Sequence, residues 1–273
     1  MSTDTTTTTA TTGASPGGRR PVMANLAGVT AFTSSPGWAW LVALLLWRTA
    51  WLFAADAVVF GVMRLVDPAT TWGSALLWAN VSIVVVDVLT IVVVAYSLRR
   101  VGSSLRTLLR TRSVGKDIAW GLLLGLIVIV AFFAGNFVAN LITYQGVPPI
   151  PEGGSIAVPM WFGLWCLIVM PVTIAVAEEV LYRGYLQHVL SERLGRLVGL
   201  LIMSVAFGIQ HLALTAPDPQ AWLARFLTTF FAGLVFGLLA WWMKRLWPLI
   251  VAHWLLDVLF LGLPLMMAAV GSA

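Results

Sequence analysis

The chain has 273 residues, 60% of them hydrophobic and 10% charged, with a mean hydropathy of +0.93 and a formal charge of +5. Soluble domains run at about 45–50% apolar and about 25% charged, so this composition excludes an ordinary water-soluble enzyme, a disordered chain and a fibrous rod. What remains is a polytopic membrane protein, in which a basic excess reads as orientation signal and contact with anionic lipid rather than as a nucleic-acid footprint. The single cysteine, Cys166, excludes an internal disulfide and any thiolate metal cluster.

Residues 1–36 are rich in Thr, Ser, Gly and Pro, with little to bury, and are expected to be a disordered tail. They do not read as a secretory signal, because the first long apolar run begins only after Pro36. A helix needs about 20 apolar residues to cross a bilayer. Runs of that kind occur at 37–63, 72–98, 118–144, 157–188, 197–214, 221–243 and 248–270. The second is crowded with Val and Ile, but backbone satisfaction in lipid decides for helix over strand. The expected fold is an all-α polytopic membrane protein of about seven transmembrane helices. It divides into the tail, an N-terminal helical part over 37–156 and a C-terminal part over 157–270.

Loop charge sets the expected orientation. The connection 99–117 carries Arg99, Arg100, Arg106, Arg110, Arg112 and Lys116; Arg193 and Arg196 flank the next such turn, and Lys244 and Arg245 the last. Connections 145–156 and 215–220 hold no basic residue. The pattern places the N-terminus in the cytoplasm and the C-terminus outside, with Arg64 as the exception, in what is expected to be the plasma membrane.

An Asp, Lys or Arg at the bilayer centre costs about 2.5–3.5 kcal/mol even on lenient scales, so ionisable groups inside spans are candidates for function. Arg48, Asp56 and Asp87 form one group, in the first two spans. They are expected to pair as packing or insertion devices. Glu178, Glu179, Arg183, His211, His253 and Asp257 form the other, in the fourth, fifth and seventh.

On a helix Glu179 and Arg183 share a face and can pair, whereas Glu178 points about 100° away and is left free for chemistry. Phe207 and His211 share a face, with Gly208 permitting close helix approach. His253 and Asp257 are likewise four apart. At about 1.5 Å per residue, and with span ends set flush, the three helices carry Glu178, His211 and His253 at depths differing by about 13 Å, all reachable from the cytoplasmic side. His188 is expected at the membrane edge. Asn136 and Asn140 are expected to bond to neighbouring helices, and the tryptophans near span ends to anchor at the interface.

Glu178-Glu179-x-x-x-Arg183, Phe207-x-x-x-His211 and His253-x-x-x-Asp257, in that order on successive membrane helices, resemble the CPBP family of CAAX prenyl endopeptidases and bacteriocin-processing or immunity-type membrane proteins. The resemblance covers about 157–270. The third motif often ends in Asn in the prenyl endopeptidase branch, and Asp257 loosens the inference to a CAAX substrate. The resemblance implies an intramembrane endopeptidase acting on a peptide or membrane-anchored protein. Glu178 with His211 would activate a water, Glu179 with Arg183 would brace the helix, and His253 with Asp257 would bind the substrate carbonyl or its oxyanion. An ionised Asp257 cannot donate a hydrogen bond, so it is cast as orienting His253. A competing mechanism makes Glu178, His211 and His253 a three-ligand zinc set. No His-Glu-x-x-His helix or thiolate forces it, so the cofactor stays open between none and a divalent metal such as zinc. Rival readings are a non-catalytic scaffold or immunity protein and a proton-coupled transporter, which would also keep Asp, Glu and His in its spans.

Overall fold

The structure is a computed structural model describing residues 36–111, 113–148 and 157–271. Apart from Pro36, the expected tail lies outside the described residues. Every regular element among them is helical. Six helices are long and apolar enough to cross a membrane: α1 (Trp38–Val66), α2 (Trp72–Arg100), α3 (Val114–Tyr144), α4 (Met160–Leu194), α6 (Pro219–Met243) and α7 (Trp247–Val270). The seventh expected span is a shorter apolar helix, α5 (Arg196–Gln210). It ends at Gln210, and His211 opens the turn that follows rather than lying within a helix.

The helices run alternately up and down, so the bundle has two ends. At one end Trp40 donates to Ser97 across α1 and α2, Trp247 donates to the Leu109 carbonyl, and Arg245 pairs with Asp117. Arg193 donates to the Pro36 carbonyl and lies over Trp38 there as well. This end carries the basic connections; the short helix Leu105–Leu108 packs Leu108 into it. At the other end Phe60 meets Trp72, Trp78 meets Phe162, and Gly163 sits against Ala269.

Two glycines explain the tight geometry around α5. Gly195 takes φ +87°, a left-handed conformation that lets a single residue turn the chain from α4 into α5. A Cβ on Gly208 would fall 2.8 Å from the Phe226 ring, so only glycine lets α5 and α6 approach this closely, as the motif spacing suggested.

Three π-helical stretches interrupt the α-helical register: Trp165–Val169, Glu179–Leu186 and Val258–Gly262. Pro171 follows the first and Pro264 the third. A proline ring lacks the N–H and clashes with the carbonyl four residues before it, so the turn preceding each proline widens. The second stretch starts beside Glu178 and the third begins just after Asp257. π-turns of this kind recur at functional sites.

Candidate active site

A cavity with about 230 Å³ of room for water-sized molecules is lined by Glu178, His211, His253 and Asp257 together with Arg48 and Arg225, the rest of its wall being mostly apolar. Glu178 and His253 are both 3% exposed, and Arg48 1%.

Glu178 is not left free, contrary to the expectation from its position on α4. Its Oε1 accepts a hydrogen bond from Arg48 Nη2 at 3.0 Å. The same guanidinium donates from Nη1 to Asp87 Oδ1 at 2.5 Å and from Nε to Gln210 Oε1 at 2.9 Å. Gln210 Oε1 also accepts from the Tyr182 hydroxyl at 3.0 Å. Arg48 therefore ties α1, α2, α4 and α5 together at one point. The expected Arg48–Asp87 pair is present, but it is also a wall of the site. Asp56 is not part of it: it is buried, with Oδ2 making no hydrogen bond.

The pairing of Glu179 with Arg183 follows the four-residue spacing, at 3.0 Å between Oε1 and Nη1. The remaining Arg183 donors Nε and Nη2 have no hydrogen-bond acceptor. Its guanidinium lies instead 4.3 Å from the Phe207 ring centre and 5.0 Å from that of Phe236. Those faces offer a buried cation favourable electrostatics without an anion. Glu179 Oε1 also receives a hydrogen bond from His253 Nδ1 at 2.8 Å. The expected division of labour changes accordingly. His253 Nε2 stands 3.7 Å from Asp257 Oδ2, within ion-pair reach but beyond hydrogen-bond distance, so the hydrogen bond that holds the imidazole runs to Glu179 rather than to Asp257.

With Nδ1 committed to Glu179, His253 turns Nε2 toward the cavity, 3.6 Å from Glu178 Oε2. That carboxylate oxygen makes no hydrogen bond of its own. His211 reaches the cavity from the turn after α5, and its Nδ1 donates to the Phe207 carbonyl at 2.7 Å. Because a carbonyl can only accept, the Nδ1 proton is fixed and Nε2 is the open ring nitrogen. The structure thus brings all six sequence-selected residues around one cavity or its wall, with Glu178, His211, His253 and Asp257 lining it and Glu179 and Arg183 behind.

As a zinc site the arrangement does not fit. Among the described residues, no three His, Cys, Asp or Glu side chains converge to hold a metal ion. Arg48 already supplies a cation to one oxygen of Glu178.

Sequence reasoning missed Gln210 and Tyr182, and read Arg48 and Asp87 as packing or insertion devices, with substrate gating as the lesser alternative. Their placement inside spans was a signal for the two charges; nothing local marked Gln210. His188, expected at the membrane edge, is 1% exposed, with Nε2 3.3 Å from Glu192. Asn136 and Asn140 bond to each other along α3 instead of to a neighbouring helix.

Residues 159–259 match the protein family described as Rce1-like: type II CAAX prenyl endopeptidase Rce1-like. The matched segment runs from the start of α4 into α7 and is similar, at the level of the family, to CAAX-protease-like intramembrane proteases; α1, α2 and α3 lie outside it. No curated protein and no solved structure matches the chain.

Proposed function

We propose that this integral membrane protein is an intramembrane endopeptidase that hydrolyses a peptide bond of a small or membrane-anchored protein, with Glu178 as general base. The observation that carries the reading is a buried carboxylate oxygen, Glu178 Oε2, without a hydrogen bond, facing a cavity roomy enough for water that His211 and His253 also line. Its partner oxygen is held by Arg48, so the group is fixed in direction while one lone-pair face stays available.

In this reading a water sits between Glu178 Oε2 and the open Nε2 of His211. Glu178 takes a proton from it as the oxygen attacks the substrate carbonyl carbon. The carbonyl oxygen becomes an oxyanion, to which His253, protonated at Nε2, donates. Glu178 then delivers its proton to the leaving amine as the C–N bond breaks and the oxyanion collapses; the products are a carboxylic acid and an amine, and the acid's proton passes to the amine or to water, leaving a carboxylate. Glu179 acts through His253 by holding Nδ1, and Arg183 acts through Glu179. Asp257 lines the cavity without a hydrogen bond at Oδ2 and faces incoming substrate. Positioned acid–base groups contribute about 10²–10⁴-fold, and one oxyanion donor about 10²–10³-fold.

The test is cleavage of a peptide mixture by purified protein in detergent or liposomes, with products read by mass spectrometry. New termini are expected with the wild type and not with Glu178→Gln or His211→Ala. Undiminished cleavage by either folded variant overturns the assignment.

A further inference from the structure

The chain places its charged connections and its cavity mouth at opposite ends of the bundle. Among the described residues nine Lys and Arg lie at one end: five between 99 and 116, two around Gly195, and two in the turn before Trp247. Among the described residues the other end has only Arg64 and Arg225. An excess of this size on short connections puts the basic end in the cytoplasm.

The cavity is closed toward that end. Its deepest groups are Arg48, Glu178 and His253, and beyond them Leu186, Leu246 and Leu249 are each at most 1% exposed. From there the lining climbs away from the basic loops. It passes Asp257 and Leu261 to Leu214, in the turn after α5, and to the exposed Arg225, two turns into α6. Both belong to the end that carries the 211–218 connection. The depth estimate from sequence had the three site residues reachable from the cytoplasmic side; the packed core at the basic end removes that route.

We infer that the catalytic cavity opens to the extracytoplasmic face, so that its water and its substrate both arrive from outside. The substrate class is then a peptide segment presented at the outer face of the membrane, either translocated or displayed by a membrane anchor, and not a cytoplasmic tail. This rests on reading the cavity as a peptidase site, but its test does not depend on turnover.

The experiment replaces Cys166, which is 0% exposed, with Ala and introduces single cysteines into full-length protein expressed in cells. Leu261→Cys reports on the cavity, Leu214→Cys on its mouth, and Arg110→Cys on the basic end. A small, charged, membrane-impermeant thiosulfonate is applied to intact and to permeabilised cells, and modification is read by mass shift. Leu261→Cys and Leu214→Cys are expected to be modified in intact cells, and Arg110→Cys only after permeabilisation. Modification of the two cavity cysteines only after permeabilisation, or of Leu261→Cys under neither condition while Arg110→Cys behaves as expected, overturns the inference. Labelling of Arg110→Cys in intact cells overturns it too. Outside labelling as expected, with no peptide cleaved by the wild type, leaves the sidedness standing and defeats the peptidase reading instead.

Discussion

Replacing Arg48 with Met keeps the length of the stem and removes the charge that three side chains share. Arg48 is 1% exposed and hydrogen-bonds Asp87, Glu178 and Gln210 at 2.5, 3.0 and 2.9 Å. Removing one partner of a buried ion pair costs about 3–5 kcal/mol, because the other charge is left uncompensated, and here two carboxylates are left. Against a total stability of about 5–15 kcal/mol that is a large fraction. At about 2–4 °C per kcal/mol for a chain of this size, Tm should fall by about 6–20 °C. Adding Asp87→Asn and then Glu178→Gln removes the stranded charges in turn, so the triple variant should regain most of the loss, since neutral replacements for buried ions are often isoenergetic. Activity should not return with it, because Glu178 is gone. Tm is read in detergent by tryptophan fluorescence, and cleavage with a quenched peptide. An Arg48→Met variant within about 2 °C of wild type, or a triple variant no more stable than the single one, would refute this account of the network.

Other substitutions separate the roles within the site. Glu178→Gln and His211→Ala should each lower kcat by about 10²–10⁴-fold while Tm stays within a few degrees. Glu179→Gln weakens the acceptor that holds His253 Nδ1 and should cost more activity than Asp257→Asn, whose oxygen is 3.7 Å from that ring. Equal losses in those two variants, measured as kcat/KM on one peptide, would return the orienting role to Asp257. Gly208→Val inserts carbon 2.8 Å from the Phe226 ring and should destabilise by about 1–3 kcal/mol, read as a lowered Tm.

What the sequence revealed and what it hid divide along sequence distance. Glu179 and Arg183 are four apart on one helix, so their pairing is a local rule and was readable. Arg48 meets Glu178 across 130 residues, and no period or spacing marks such a partner. Composition could say only that a charge inside a span needs one. The depth spread of about 13 Å read from the sequence is taken up by helix offset. The arithmetic set helix ends flush, whereas α4 extends past the level at which α7 begins. Glu178 lies about 24 Å from Leu194 and His253 about 9 Å from Trp247, yet their side chains meet at 3.6 Å, so the two ends are offset by about 15 Å. The asparagines went wrong through proximity: Asn136 and Asn140 satisfied each other along their own helix.

The buried charges show why α1 and α2 cannot be treated as a detachable anchor for a catalytic half. Within 159–259 the acids Glu178, Glu179 and Asp257 have one buried arginine among them, Arg183, and that one is committed to Glu179. The arginine that pairs with Glu178 comes from α1 as Arg48, with Asp87 of α2 holding its other arm. Glu178 sits 3% exposed with one oxygen bonded and the other bare. Arg48 sets an opposite charge against one oxygen of Glu178 and leaves the other facing the cavity. In the proposed mechanism the N-terminal helices therefore help to direct the base, although the family match begins after them.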